Sequence, residues 1–338
     1  MHWIERHWER VTPVSALLYP VSLLYGAVAA SRRAAAAPAR LRAPVIVIGN
    51  VTVGGTGKTP LTLWLESTLR DRGWTPGIAC SGYGGSNPGP QPVTLDSDPA
   101  ACGDEAVLLA RRSGCEVWAG ADRVATASAL LTARAECDVI LCDDGLQHHA
   151  LARDVEICLI DGERGLGNGW LLPAGPLREP AARLASVDAL VINGDGHSSL
   201  EHLPANAARF TMTLEGREFR NLLNPGQVTG AESFRGKRIH AIAGIDNPPR
   251  FFRHLQKMGL DFTAHAYPDH YPFAASDLEY PGAEAILMTE KDAVKCRRFA
   301  SELHWELPVD AVPGPGPGLA DLVLRRLESL KATTDEHR

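Results

Sequence analysis

The chain has 338 residues, of which 45% are hydrophobic and 22% charged, with a formal net charge of −6. These values suit a folded globular protein of about two domains and leave no room for a long disordered region; the acidic balance argues against a general nucleic-acid binder. The seven cysteines are odd in number and contain no C-x-x-C pair, which argues against a disulfide framework or a zinc site and points to reduced thiols in the cytosol.

The first element is apolar. No charged residue occurs from Val11 to Ser31, while Arg10 precedes the run and Arg32, Arg33, Arg40 and Arg42 follow it. Such a run reaches the ~20 residues of a membrane-spanning helix, although Pro20, Thr12 and three serines weaken that reading. GAVAAS also has the small residues of a signal-peptide cleavage site. A third reading is a helix lying in one leaflet, with Trp3, Trp8, Tyr19 and Tyr25 at the interface and the arginines as anchors. A buried helix of an ordinary core is the fourth. A nucleotide site downstream favours the leaflet helix, with the globular body on the cytoplasmic side.

Val45-Ile46-Val47-Ile48 reads as a buried strand, followed by Gly54-Gly55-Thr56-Gly57-Lys58-Thr59 and then Leu61, Leu65 and Leu69 at helical spacing. Strand, glycine loop, Lys-Thr and helix is the context of a phosphate loop. The glycines let backbone N–H groups wrap phosphate oxygens at a helix N-terminus. Lys58 would reach the β- and γ-phosphates of ATP, and Thr59 would place its hydroxyl on Mg²⁺. The spelling is a variant, because the first glycine of G-x-x-x-x-G-K-[ST] is replaced by Thr52. Partitioning-type ATPases with a similar loop carry a lysine immediately before the glycine pair; here that position is Val53. This disfavours a nucleotide-switch dimer.

Further strands are expected at 77–80, 116–118, 139–142, 155–160 and 189–192, alternating with helices in the manner of a parallel sheet. Asp104 and Glu105 open a helical run at 106–110, where an acid also serves as a simple first-turn residue. Asp143 and Asp144 end an apolar strand, the place for a Mg²⁺ partner of the phosphate loop. Adjacent side chains on a strand point apart, so one would face the metal and the other the loop or the acceptor. Gly175-Pro176-Leu177-Arg178-Glu179-Pro180 is a rigid loop whose arginine suits either a phosphate or a surface ion pair, and Arg123 carries the same two readings. After Gly194 the chain reads as polar loop through His202. A second α/β pattern begins near Arg238, with a helix at 248–258 and a strand at 285–288. His270 stands between prolines in YPDHYP, as a general base or an orienting group. Met288-Thr289-Glu290-Lys291-Asp292-Ala293 caps a helix or faces an interdomain cleft. Pro313–Gly318 reads as a linker before a terminal helix from Leu319 to Leu330.

Seven ordered segments, VIVIGNVTVGGTGKTP, GDEAVLLA, CDDGLQHH, GPLREP, AGIDNPPRFF, YPDHYPF and TEKDAVKC, together resemble the tetraacyldisaccharide 4'-kinase (lipid A 4'-kinase) family of Gram-negative bacteria. The resemblance covers most of the chain. It implies transfer of the γ-phosphate of ATP to the 4'-hydroxyl of a tetraacyldisaccharide 1-phosphate, giving lipid IVA, at the cytoplasmic face of the inner membrane. It implies an Asp104–His270 dyad in which Asp104 takes the hydroxyl proton and His270 orients it or raises its basicity. It further implies Glu105 and Asp144 near Mg²⁺, Asp143 near the loop, and Arg178 and Arg123 on phosphate charge, with Tyr83 and Glu179 as additional site candidates. One departure stands out: the family's S-R-G-Y-G is here Cys80-Ser81-Gly82-Tyr83-Gly84, with Ser81 in place of the arginine.

The expected architecture is α/β, a P-loop NTPase-type parallel sheet with a second, smaller α/β lobe and an N-terminal membrane-associated helix. The expected division is 1–40 for the apolar region, 41–225 for the kinase domain, 226–312 for the smaller lobe and 313–338 for linker and terminal helix. A monomer binding the lipid substrate and the inner-membrane surface, and no nucleic acid, completes the expectation. The alternatives are a soluble ligase or synthetase of the variant-loop group acting on a small carboxylate, and a nucleotide-switch ATPase.

Overall fold

The computed structural model describes residues 3–194, 203, 207–315 and 318–335. Most of the polar stretch expected after Gly194 lies outside the described residues.

The N-terminal run forms α1 (Pro13–Ala35). Thr12 and Ser15 cap it reciprocally, Ser15 N donating to Thr12 Oγ1 at 3.2 Å and Thr12 N to Ser15 Oγ at 2.6 Å. The helix is long and apolar enough to cross a membrane. It rests on the body through its polar and aromatic side chains: Ser22 Oγ donates to Leu171 O at 2.8 Å, Tyr25 Oη donates to Arg178 O at 3.2 Å, and Tyr19 packs on Trp170 at 4.5 Å. Trp8 Nε1 donates to Pro173 O at 3.0 Å. Trp8, Tyr19 and Tyr25, expected at a membrane interface, thus also touch the body, and Tyr19 remains 40% exposed. These aromatics contact the body, and the most exposed side chains of the helix are aliphatic, with Leu17 80% and Leu24 69% exposed.

Among the described residues the strands form two sheets. The first comprises β1 (Val45–Asn50), β2 (Pro76–Cys80), β3 (Gln91–Val93), β4 (Glu116–Ala119), β5 (Val139–Asp143), β6 (Val155–Asp161), β7 (Ala189–Asn193) and β8 (Ala208–Glu215). Between them run α2 (Lys58–Asp71), α3 (Pro99–Cys102), α4 (Asp104–Arg112) and α5 (Arg123–Ala133). The second comprises β9 (Glu218–Asn221), β10 (Val228–Gly230), β11 (Ile239–Ala243), β12 (Thr263–Ala266), β13 (Ala285–Thr289) and β14 (His304–Leu307), with α6 (Pro248–Lys257) and α7 (Glu290–Cys296). Then β15 (Asp310–Pro313) and α8 (Leu319–Asp335) complete the chain.

The first sheet runs β15-β8-β7-β6-β1-β5-β2-β4-β3, parallel except at its two edges. β1, β5 and β6 are buried throughout, as strands covered on both faces must be, which explains their unbroken apolar spelling. One face packs against Leu61, Leu65 and Leu69 of α2 and Val323 and Leu327 of α8, the other against Leu130 and Leu131 of α5. β5 and β6 flank β1, so the loops leaving β1 and β5 open side by side at the carboxyl edge, where α/β folds bind ligands.

The structure divides the chain differently from the expectation. The second sheet begins at Glu218 rather than near 226, and β15 returns to the first sheet, pairing Pro313 with Met212. Pro313 is thus a strand end at a sheet edge, where its missing N–H is tolerated, and α8 belongs to the first core because Leu319, Val323 and Leu327 are buried there. The chain crosses between lobes twice at one place: a Cβ on Gly216 would come 2.7 Å from Pro308 O.

Candidate active site

The loop after β1 is built by backbone freedom at two glycines. Gly54 (φ 107°) and Gly57 (φ 95°) take the left-handed region, and a Cβ on Gly57 would meet Asn193 Nδ2 at 2.8 Å. Thr52 needs no such freedom, because it forms an antiparallel bridge with Leu177. Val53 N donates to Pro176 O at 2.8 Å and Arg178 N to Val51 O at 2.7 Å, so the GPLREP loop is zipped onto the start of the phosphate loop. The variant spelling therefore has a structural reason: the first position is extended and braces Arg178. The Thr56 hydroxyl is buried without a partner, a polar group aimed at no protein atom inside the loop.

Lys58 opens α2. Its Nζ donates to Asn50 Oδ1 at 3.1 Å and pairs with Asp144 Oδ1 at 3.4 Å. Arg178 reaches the same carboxylate at 3.3 Å. Burial would raise the Asp144 pKa, but Lys58 and Arg178 outweigh it and hold the group below its ordinary value. Asp143 points the opposite way. It accepts from Thr62 Oγ1 at 2.8 Å and Thr59 Oγ1 at 3.3 Å. Full burial, then the nearby Glu105, push its pKa up to about 6. Asp143 thus lies at the phosphate loop, as expected, and is the carboxylate that meets Thr59. Asp144 itself adopts a positive φ of 48°, a conformation costing about 1–3 kcal/mol.

The residues suit Mg²⁺. Thr59 and Asp143 offer a hydroxyl and a carboxylate, the hard oxygen ligands this ion takes. Among the described residues no three acidic, His or Cys side chains converge on one point.

The second cluster spans the two lobes. Gly103 (φ 88°) turns the chain into α4; a Cβ there would lie 2.5 Å from Tyr83 O, which packs the start of α4 against the Ser81–Gly84 turn. Within that turn Ser81 Oγ accepts from Tyr83 N at 3.0 Å. Asp104, 5% exposed, faces His270 of the second lobe, whose Nδ1 lies 3.1 Å from Oδ1 and 3.0 Å from Oδ2. His270 has φ 57° and, with Asp144, is one of two non-glycine residues with positive φ among those described. Both strained positions lie at this site, where strain accumulates in working proteins. The Tyr83 ring meets His270 edge-on at 5.0 Å. Burial would raise the Asp104 pKa, but His270, Lys291 and Lys295 lower it below the ordinary value; for His270 burial lowers the pKa and the Asp104 hydrogen bond more than restores it, leaving it raised. Glu105 pairs with Lys291 at 3.0 Å.

Two candidates lie elsewhere. Arg123 is 2% exposed; its Nη1 donates to Gly120 O at 2.8 Å and its Nη2 to Asp143 O at 3.5 Å, at the end of β5. Glu179 is buried among Gln147 at 2.9 Å, Arg183 at 3.5 Å and His149 at 3.6 Å, which anchors the GPLREP loop.

The family model described as tetraacyldisaccharide-1-P 4'-kinase matches residues 14–328. The chain belongs to this family. A tetraacyldisaccharide 4'-kinase of Dechloromonas aromatica is 48% identical over 96% of this chain and 97% of that protein, and one of Azoarcus sp. is 48% identical over 95% and 94%. A solved structure of the Aquifex aeolicus protein, in complex with ATP, superposes with a TM-score of 0.78 at 27% identity, covering 93% of this chain and 99% of that one. The tetraacyldisaccharide 4'-kinase fold therefore accounts for both sheets of the present chain.

Several site residues were not singled out from the sequence. Asn50 ties the strand end to the loop, its Nδ2 donating to Gly54 O at 3.2 Å while its Oδ1 accepts from Lys58. Asp246 crosses from the second lobe to accept from Gly55 N at 3.1 Å and from Arg164 Nη1 at 2.9 Å. Lys291 stands at His270. The segments AGIDNPPRFF and TEKDAVKC were visible as motifs; what they touch was not.

Proposed function

We propose that the protein transfers the γ-phosphate of ATP to the 4'-hydroxyl of a tetraacyldisaccharide 1-phosphate. The observation that carries this is the Asp104–His270 pair, 3.0 Å apart, built next to the carboxylates that serve the phosphate loop: Glu105, adjacent to Asp104, is close enough to raise the Asp143 pKa. Family membership supports the substrate, and the ATP complex of the Aquifex aeolicus relative supports the donor.

In this reading the loop N–H groups and Lys58 hold the β- and γ-phosphates, and Arg178 adds a second cation beside them. Asp104 accepts the proton of the acceptor hydroxyl while His270 orients its carboxylate. The acceptor oxygen bonds the γ-phosphorus, the bond from that phosphorus to the ADP oxygen breaks, and ADP leaves. When bound, Mg²⁺ would be held by Thr59 and Asp143, with Asp144 and Glu105 as the neighbouring acids, and would neutralise phosphate charge. The exposed aliphatic face of α1 docks the protein on the inner membrane from the cytoplasmic side, the surface in which a lipid substrate resides.

The test is phosphate transfer by the purified full-length protein in detergent, with Mg²⁺, labelled ATP and tetraacyldisaccharide 1-phosphate, following the lipid by chromatography. Label in the lipid that depends on Lys58 and Asp104 is the expected result. Bound ATP with no label in that lipid would overturn the acceptor assignment.

A further inference from the structure

We infer that Lys291 is a positioning residue of the phosphate-transfer centre: its ammonium group locks the His270 ring in the tautomer that donates Nδ1–H to Asp104. The inference rests on the Asp104–His270 reading proposed above and adds a third member to it.

The argument is a count of donors and acceptors. Lys291 Nζ has three protons and three neighbours within reach: Glu105 Oε1 at 3.0 Å, Asp269 Oδ1 at 3.1 Å and His270 Nε2 at 3.3 Å. An ammonium group donates and never accepts. His270 Nε2 must therefore accept, which leaves the ring proton on Nδ1. Nδ1 is the atom that faces both Asp104 oxygens, at 3.1 and 3.0 Å. The Asp104 carboxylate by itself favours the proton on Nδ1; the Lys291 donor at Nε2 adds that the ring carries no second proton there, so both nitrogens are assigned. Asp269 offers Nε2 no acceptor: its Oδ2 is 3.6 Å away, beyond hydrogen-bond reach, and its Oδ1 is engaged by Lys291. Which ring nitrogen is protonated is in general decided by the partner of the other nitrogen.

Three further features support this role. Burial lowers the Lys291 pKa, but Glu105, Asp104 and Asp269 outweigh it and raise it above the ordinary value, so the group stays an ammonium. Lys291 sits in the first turn of α7, the positive end of a helix, where a cation gains nothing from the dipole. The same ammonium pins α7 to Glu105 at the start of α4, so the lobe that carries His270 is registered on the lobe that carries Asp104.

The ring nitrogens can be read directly. The full-length protein, labelled with ¹⁵N-histidine in detergent at pH 8, holds 12 histidines, and the His270 signals are assigned by their loss in His270→Gln. The expected spectrum has Nδ1 protonated and Nε2 unprotonated. In Lys291→Met the Nε2 signal moves toward that of a protonated nitrogen while Nδ1 stays protonated, a larger share of the ring carrying both protons, and kcat falls about 100-fold, the lower end of the range of general-base catalysis, with KM for ATP unchanged. Lys291→Arg, which still donates, keeps the tautomer and recovers part of kcat. A wild-type His270 protonated on Nε2 overturns the inference by itself, whether or not the methionine variant folds. An unchanged His270 signal in Lys291→Met, with kcat lowered equally in both variants, reduces Lys291 to a structural contact. Full activity of both Asp104→Ala and His270→Gln would instead overturn the underlying dyad, a different outcome from either.

Discussion

The phosphate loop and the Asp104–His270 pair are assembled in opposite ways. The loop, Lys58 and the two aspartates come from neighbouring central strands, β1 and β5, and the register of a parallel sheet brings them together. The dyad joins the first turn of α4 to a loop of the other lobe, 166 residues away in the chain. The first is as rigid as the sheet. The second holds only while the two lobes keep their relation across the Gly216 and Pro308 crossings. A kinase built this way can bind nucleotide with one lobe and needs both to activate the acceptor. Binding and chemistry should therefore separate by mutation.

The sharpest break in that comparison is Asp104→Ala. With the base gone, kcat should fall about 100- to 10,000-fold while the ATP Kd, measured by calorimetry, stays within twofold to threefold. A matching loss of ATP affinity would place Asp104 on the nucleotide side. Next, Lys58→Ala should cost about 100- to 1,000-fold in turnover, as loss of a transition-state charge contact does, and should weaken ATP as well. Near-normal transfer would refute the loop assignment.

A pH measurement sharpens the same line from the loop side. The folded-state pKa of Asp143 is about 6, above the unfolded value of ~3.9. Between those values the folded protein binds more protons than the unfolded chain, so this group's contribution is present below ~3.9 and is lost as pH rises through about 6. In EDTA, Asp143→Asn should therefore gain stability relative to wild type on going from pH 4.5 to 7, on the order of 2 kcal/mol. Parallel melting curves at all pH values would show that Asp143 is not the buried carboxylate described. The smallest expected effect on chemistry lies outside both clusters. Leu17→Ser with Leu24→Ser should move the protein from the membrane to the soluble fraction and leave transfer in detergent unchanged. An unchanged distribution would mean that another surface docks.

The two clusters also differ in how far they could be read in advance. The loop was legible because its chemistry is contiguous: strand, glycines, Lys58 and Thr59 carry their own geometry. Asp143 and Asp144 were legible as a pair, since a strand end after an apolar run is a known place for acids. Their division of labour was not, because it depends on which side chain meets Thr62 and which meets Arg178. Arg123 left a phosphate contact and a surface ion pair equally open by type; its burial, with Nη1 and Nη2 on carbonyls, was not legible. Asp104 and His270 were named as a pair through family resemblance; residue chemistry by itself left each with a plainer alternative. Lys291 was a charged residue in a motif with no assigned contact.

The amino-acid pattern thus determined the local units by itself: a nucleotide-binding loop, a parallel α/β core, a second α/β lobe and an apolar leading helix. These follow from periodicity and from backbone freedom at glycine, which act over a few residues. Only the tertiary structure decided that β15 and α8 return to the first core, that Tyr19 and Tyr25 of α1 contact the body, and that Asp104, His270 and Lys291 meet. Those outcomes depend on which buried polar group finds which partner across the chain, and hydrogen bonds between distant segments leave no period in a sequence.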